Sequence, residues 1–173
     1  MPDLWGVATV ATKFALYLGV LVSAGTVFVS LIFQIAHIRR VSVAFAALGL
    51  VAALLGFSIG GAALTGDAGG MIDLEMLGLL WTTPVGTALA FRVSGLALLI
   101  AGLMLGRVGI WIAALGGILA LWSFATIGHV PAKDTPWLSA LLLIHLIVAA
   151  FWIGILGPLQ RLALQGTAEA TAD

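Results

Sequence analysis

The sequence predicts an all-α fold, a polytopic transmembrane helical bundle of about five spans, and three observations carry that expectation. Apolar residues make up 62% of the 173-residue chain and charged ones 8%, a balance outside the range of soluble domains. Several apolar runs reach the roughly 20 residues needed to cross the hydrocarbon core of a bilayer. Between these runs stand prolines, glycines and charges placed as helix ends require, so the runs are separate spans.

Span one is expected over about 5–34, running up to His37-Ile38-Arg39-Arg40. It is too long for a signal peptide and lacks a basic leader and a small-residue cleavage site, so it reads as a helix. Span two, about 41–64, carries Gly56-x-x-x-Gly60, a small-residue spacing that lets helices approach closely. The polar interval Thr65-Gly66-Asp67-Ala68-Gly69-Gly70 cannot stay helical in lipid. Residues 71–82, MIDLEMLGLLWT, are too few to span and read as a short outer amphipathic or re-entrant helix.

Thr83-Pro84 supplies a cap and a first-turn proline for span three, about 84–105. Gly106-Arg107 is a tight turn into span four, about 108–128, which Gly128-His129 ends. Thr135-Pro136 caps span five, about 137–157, and Gly157-Pro158 is expected to stop it. The bundle then occupies residues 1–160 and residues 161–173 form a polar cytoplasmic tail, whose end, QGTAEATAD, is expected to lack order.

With five spans, Arg39, Arg40, Arg107 and Arg161 fall on one side, which the positive-inside rule makes cytoplasmic. The other side holds Asp3, Asp67, Asp73, Glu75 and Asp134 against Lys133 alone. The N-terminus is then expected outside and the C-terminus inside. Trp5, Trp81 and Trp137 then mark the outer interface and Trp111 the inner one.

Composition also excludes functions. The formal net charge is zero, so no basic face awaits nucleic acid. Cysteine is absent, which removes disulfides and thiolate metal sites. No Ser-His-Asp pattern, pair of acids within a span or phosphate loop is apparent, so the protein is not expected to be an enzyme and no catalytic residue is assigned.

The informative polar residues lie inside the spans. Lys13, Arg92 and His145 each stand about 12 Å past a helix start at 1.5 Å per residue, which predicts a common level in the outer half. Lys13 and Arg92 either snorkel to the headgroups or pair with Asp67, Asp73 or Glu75 from a 65–82 segment folded onto the bundle. His145 cannot snorkel far and is expected to face the bundle interior.

Metal donors without thiolate are imidazole and thioether, which leaves His129, His145, Met71 and Met76 on the outer half. Each has a plain alternative. His129 suits a helix C-terminus through the dipole, and Met71 and Met76 suit apolar packing. His37 beside Arg39 and Arg40 reads as an interfacial residue.

The stretch GHVPAKDTPWLSALLLIHLIVAAFWIGILGPL, with Gly-His ending one helix and His-Leu followed by an aromatic-x-Gly in the next, resembles the copper resistance protein D family of integral membrane proteins, in a short form. TTPVGTALAFRVSGLALLIAGLMLGR, residues 82–107, is similar to the family span that opens on Thr-Pro-x-Gly and leads into a basic residue. The resemblance implies copper homeostasis at the periplasmic face of the inner membrane, with His129 and His145 matching the recurrent histidines. Copper ion would be the cargo, a periplasmic copper carrier a candidate partner beside the lipid bilayer, and a homo-oligomer remains open.

Two other classes compete. A b-type haem redox protein would use two histidines as axial ligands and Lys13 and Arg92 for the propionates, with axial nitrogens about 4 Å apart across the iron. A structural or assembly subunit would use its buried histidine only for interhelical hydrogen bonds.

Overall fold

The first apolar run forms α1, Leu4–Phe33, whose 30 residues make about 45 Å of helix against a hydrocarbon core of roughly 30 Å. It ends where Gln34 takes the left-handed conformation, φ 54°, and the Ser30 hydroxyl donates to the Ile35 carbonyl at 2.9 Å. The computed structural model describes residues 4–35, 39–127 and 136–170, and all the regular structure among them is helical. The further helices are α2 (Arg39–Thr65), α3 (Leu74–Trp81), α4 (Pro84–Met104), α5 (Gly106–Trp122) and α6 (Pro136–Ala170). Single 3₁₀ turns, Ala68–Met71 and Ser123–Ala125, follow α2 and α5.

Five helices are long and apolar enough to cross a membrane, and the eight-residue α3 is not among them. Helix α4 opens as its sequence dictates, with Thr83 accepting from the Val85 amide at 3.2 Å and Pro84 in the first turn. Gly106, with φ 73°, makes the turn from α4 into α5.

Lipid tails are as apolar as leucine, so helices associate in a bilayer through close packing and hydrogen bonds. Helix α1 is the centre of that packing and touches α2, α5 and α6, while α4 packs on α2 and α5. Glycines set the contacts. A Cβ on Gly19 would lie 2.5 Å from the Gly49 backbone, and one on Gly25 would strike the backbones of Ala150 and Gly154. Gly95 meets Gly116 and Ala120 in the same way, and Gly102 meets Gly109 and Ala113, which zips α4 to α5. One polar bond adds to the α1–α2 seam: the buried hydroxyls of Thr26 and Ser42 lie 2.5 Å apart.

Two expectations change. Gly56-x-x-x-Gly60 is not a tight helix contact, because a Cβ at Gly56 would come no nearer than 3.8 Å to Thr12, and one at Gly60 would reach the Leu80 side chain at 3.4 Å. Gly49, seven residues before Gly56 on the same face of α2, makes the close contact with α1 instead, through Gly19. Nor does Gly157-Pro158 end the last helix, since α6 continues through Pro158 to Ala170. Proline removes one backbone hydrogen bond, but the Leu, Gln, Arg and Ala that follow are strong helix formers and resume the ladder.

The charged ends separate. The Arg39 guanidinium donates to Met104 Sδ, which joins the start of α2 to the end of α4, and Arg161 lines a cavity with Ile35 and Val41 at the same end. Asp67, Asp73 and Glu75 lie between α2 and α4 at the opposite end. His37, Asp3, Lys133, Asp134, Gly128 and the Thr135 cap lie outside the described residues.

Gly154→Val should force α6 away from α1 and lower the melting temperature of the purified protein, by the equivalent of about 1–3 kcal/mol for an overpacked contact. Gly78→Ala, where nothing stands within 4 Å, should leave it nearly unchanged. Equal melting of the two variants would refute the glycine seam.

Candidate functional site

The acid-bearing end is closed by the segment between α2 and α4. Asp67 accepts from the Gly69 amide at 2.5 Å and starts the 3₁₀ turn, and Asp73 accepts from the amides of Glu75 (2.9 Å) and Met76 (3.3 Å) and starts α3. Gly70 lies against the Gly61 backbone, so the segment rests directly on α2. Trp81 meets Phe57 edge to face with centroids 6.3 Å apart, and the Trp5 indole donates to the Gly66 carbonyl at 3.4 Å. The segment therefore packs over α2 and α4 and reaches α1.

Below this cap a cavity of about 410 Å³ separates α1 from α4. One stripe of α1, Thr9, Thr12, Lys13, Leu16 and Tyr17, forms a wall at the i, i+3, i+4, i+7, i+8 spacing of a helix face. Ala52, Ala53 and Gly56 of α2 form another, and their small side chains leave the space open. Arg92 enters from α4, and Phe124 and Ile127 close the side towards α5.

Arg92 is held firmly. Its Nε donates to the Ser123 hydroxyl at 3.2 Å, and that hydroxyl donates to the Ala120 carbonyl at 2.6 Å. The guanidinium carbon stands 5.3 Å from the Phe124 ring centroid, and Phe124 stacks on Tyr17 at 4.5 Å with planes 14° apart. A cation over an aromatic face gains about 0.5–2 kcal/mol depending on how dry the site is. Lys13 stands at the exposed edge of the cavity and makes no hydrogen bond or ion pair among the described residues.

Lys13 and Arg92 share one cavity, but no described carboxylate joins them, because Asp67 and Asp73 are engaged by the backbone amides they cap and Glu75 sits exposed in the first turn of α3. A carboxylate beside unpaired N–H groups at a helix start is already well satisfied, which removes the drive to fold it inward.

The metal donors are not gathered. His145 is exposed on α6 and does not line the cavity. It shares an outward face with Leu141, Ile144, Val148 and Trp152, whereas Leu146 and Ala150 turn inward. The contact of Gly25 with Ala150 and Gly154 sets the register of α1 and α6 and places His145 about a turn deeper than Lys13, not level with it. The inward orientation expected for His145 gives way because the small Ala150 and Gly154, not the imidazole, make the contact with α1.

Met71 and Met76 are half-buried in the cap, which packs on α2 and α4, whereas α6 packs on α1 and α5. His129 lies outside the described residues, and among the described residues no three His, Asp or Glu side chains are grouped to hold a metal ion. Sequence reasoning missed Tyr17, Ser123 and Phe124. Tyr17, as the chain's single tyrosine, was the one signal that could have pointed to them.

These features define a multi-pass α-helical membrane protein with a cationic cavity beneath a capped end. Residues 1–140 match the family model described as copper resistance protein D-like, N-terminal domain. The chain belongs to that copper resistance protein D-like family. No curated protein and no solved structure matches it.

Ser123→Ala should remove the anchor of Arg92 and leave a half-buried charged donor unsatisfied, at a stability loss of about 1–3 kcal/mol. A fall of several degrees in the melting temperature is expected, and an unchanged one would show that Ser123 does not hold Arg92.

Proposed function

We propose that the protein handles copper in the bacterial inner membrane, binding the ion in the capped half of the bundle and passing or transporting it across the membrane in copper homeostasis. Membership of the copper resistance protein D-like family is the observation that carries this reading. His145 is the first ligand. Neutral imidazole is a competent donor to copper in either common oxidation state, and its exposed position on α6 leaves it open to a donor from elsewhere.

His129 is the second ligand. Met71 and Met76 of the cap form a separate thioether pair on the opposite flank, suited to receiving Cu(I) from a periplasmic carrier. A bare cation would be repelled by Lys13 and Arg92, so the copper route avoids their cavity. The same cations supply the charge that a haem would need at its propionates, but no histidine among the described residues lines the cavity to ligate iron, and copper is the better reading. Binding and transfer of the ion require no catalytic step.

The arginine-bearing end is assigned to the cytoplasm by the positive-inside rule, which puts the cap in the periplasm. A C-terminal reporter active only in the periplasm should therefore stay silent; strong activity would reverse the orientation.

Copper titration of the purified full chain tests the ligands. His145→Ala should lower affinity at least tenfold with circular dichroism unchanged, His129→Ala should weaken binding, and His37→Ala should do little. Unchanged affinity in a folded His145→Ala protein would remove α6 from the copper route and leave Met71 and Met76 as the candidates.

A further inference from the structure

The cavity between α1 and α4 has a property that copper handling does not use. It presents two cationic side chains, Lys13 and Arg92, within a membrane-spanning bundle, and the described residues bring no carboxylate to either. Uncompensated charge in a bilayer is costly and is normally met by a partner. The single side-chain hydrogen bond of Arg92 uses Nε alone, which leaves its two terminal nitrogens as donors. Lys13 adds a flexible ammonium, and the stack of Phe124 on Tyr17 fixes the guanidinium side of the site.

Depth selects the kind of ligand. Helix α1 exceeds the hydrocarbon core by about 15 Å in length, so each end projects roughly 7 Å beyond it if the overhang is shared. Lys13, about 13 Å from the start of α1, then lies only some 6 Å below the edge of the core, within reach of the headgroup boundary. Tyr17, which lines the cavity beside it, is 45% exposed and puts an amphipathic side chain at the surface of the bundle. Of the remaining lining, Leu16, Ala52, Ala53 and Leu89 are apolar and suit an acyl chain.

We infer that this cavity binds an oxyanion, the phosphate of an anionic phospholipid entering from the bilayer, with Arg92 and Lys13 as its charge partners. Guanidinium and ammonium groups together hold a phosphate by charge-assisted hydrogen bonds, the guanidinium in a directed fork and the ammonium as a mobile point charge. The inference is independent of the copper reading, because none of the proposed copper ligands among the described residues lines the cavity.

The test uses the full chain in a neutral detergent and reads its melting temperature during titration with phosphatidylglycerol, phosphatidylcholine or inorganic phosphate. Phosphatidylglycerol should raise the melting temperature by several degrees in a saturable way, and phosphatidylcholine should do less. Lys13→Gln should weaken the effect at least tenfold in lipid concentration, and Lys13→Gln with Arg92→Gln should abolish it. Arg40→Gln, at the opposite end, should leave it intact. If the double variant does not fold, Lys13→Gln decides, since Lys13 is exposed and holds no described contact. Inorganic phosphate reproducing the shift, with the same dependence on Lys13, would uphold the oxyanion site and reassign its source to solution. No saturable shift with either phosphate source, or one unaffected by Lys13→Gln, would overturn the inference.

Discussion

The bundle depends on the close approach of glycine backbones to α1. In water, burial of apolar side chains would hold five helices together, but in a bilayer the same side chains are equally content against lipid. Association must come from contact, and contact is densest where no side chain intervenes. Gly19 against Gly49 and Gly25 against Ala150 and Gly154 fix α2 and α6 on α1, and the paired glycines of α4 and α5 make a second unit. Many large apolar residues are left facing outward, as Phe14, Trp111 and Trp152 do.

That arrangement has a consequence at the capped end. Helix α1 is drawn to α2 through Gly19 and α4 lies across α2, but near the cap α1 and α4 are not joined by such a seam. Small residues at 52, 53 and 56 leave the space between them unfilled. The cavity is therefore a product of where the glycines stop. Two cations face it because their helix positions point there, and an aromatic pair and a serine hydroxyl hold one of them in place.

The copper ligands proposed for this protein and the cationic cavity occupy different parts of the fold. His145 belongs to an outward face of α6, the methionines to the cap on the other flank, and Lys13 and Arg92 to the gap between α1 and α4. That separation suits the proposed ligands, since Lys13 and Arg92 within a few ångströms of a copper site would weaken it.

Much of the architecture was legible in the residues alone. Apolar run lengths, Thr83-Pro84 as a helix start, Gly106 as a turn and the separation of arginines from acids are local properties, because a membrane span must satisfy its own backbone hydrogen bonds and carry few charges. What only the tertiary structure decided is which faces meet. Helix spacing placed Lys13, Arg92 and His145 at one level, but the Gly25 contact set α6 deeper and turned the imidazole outward. Asp67 and Asp73 could equally have been counter-ions or caps, and the nearby amide groups, available as soon as the turn forms, took them as caps. Register and rotation between helices depend on contacts distant in sequence, which no pattern within a single span records.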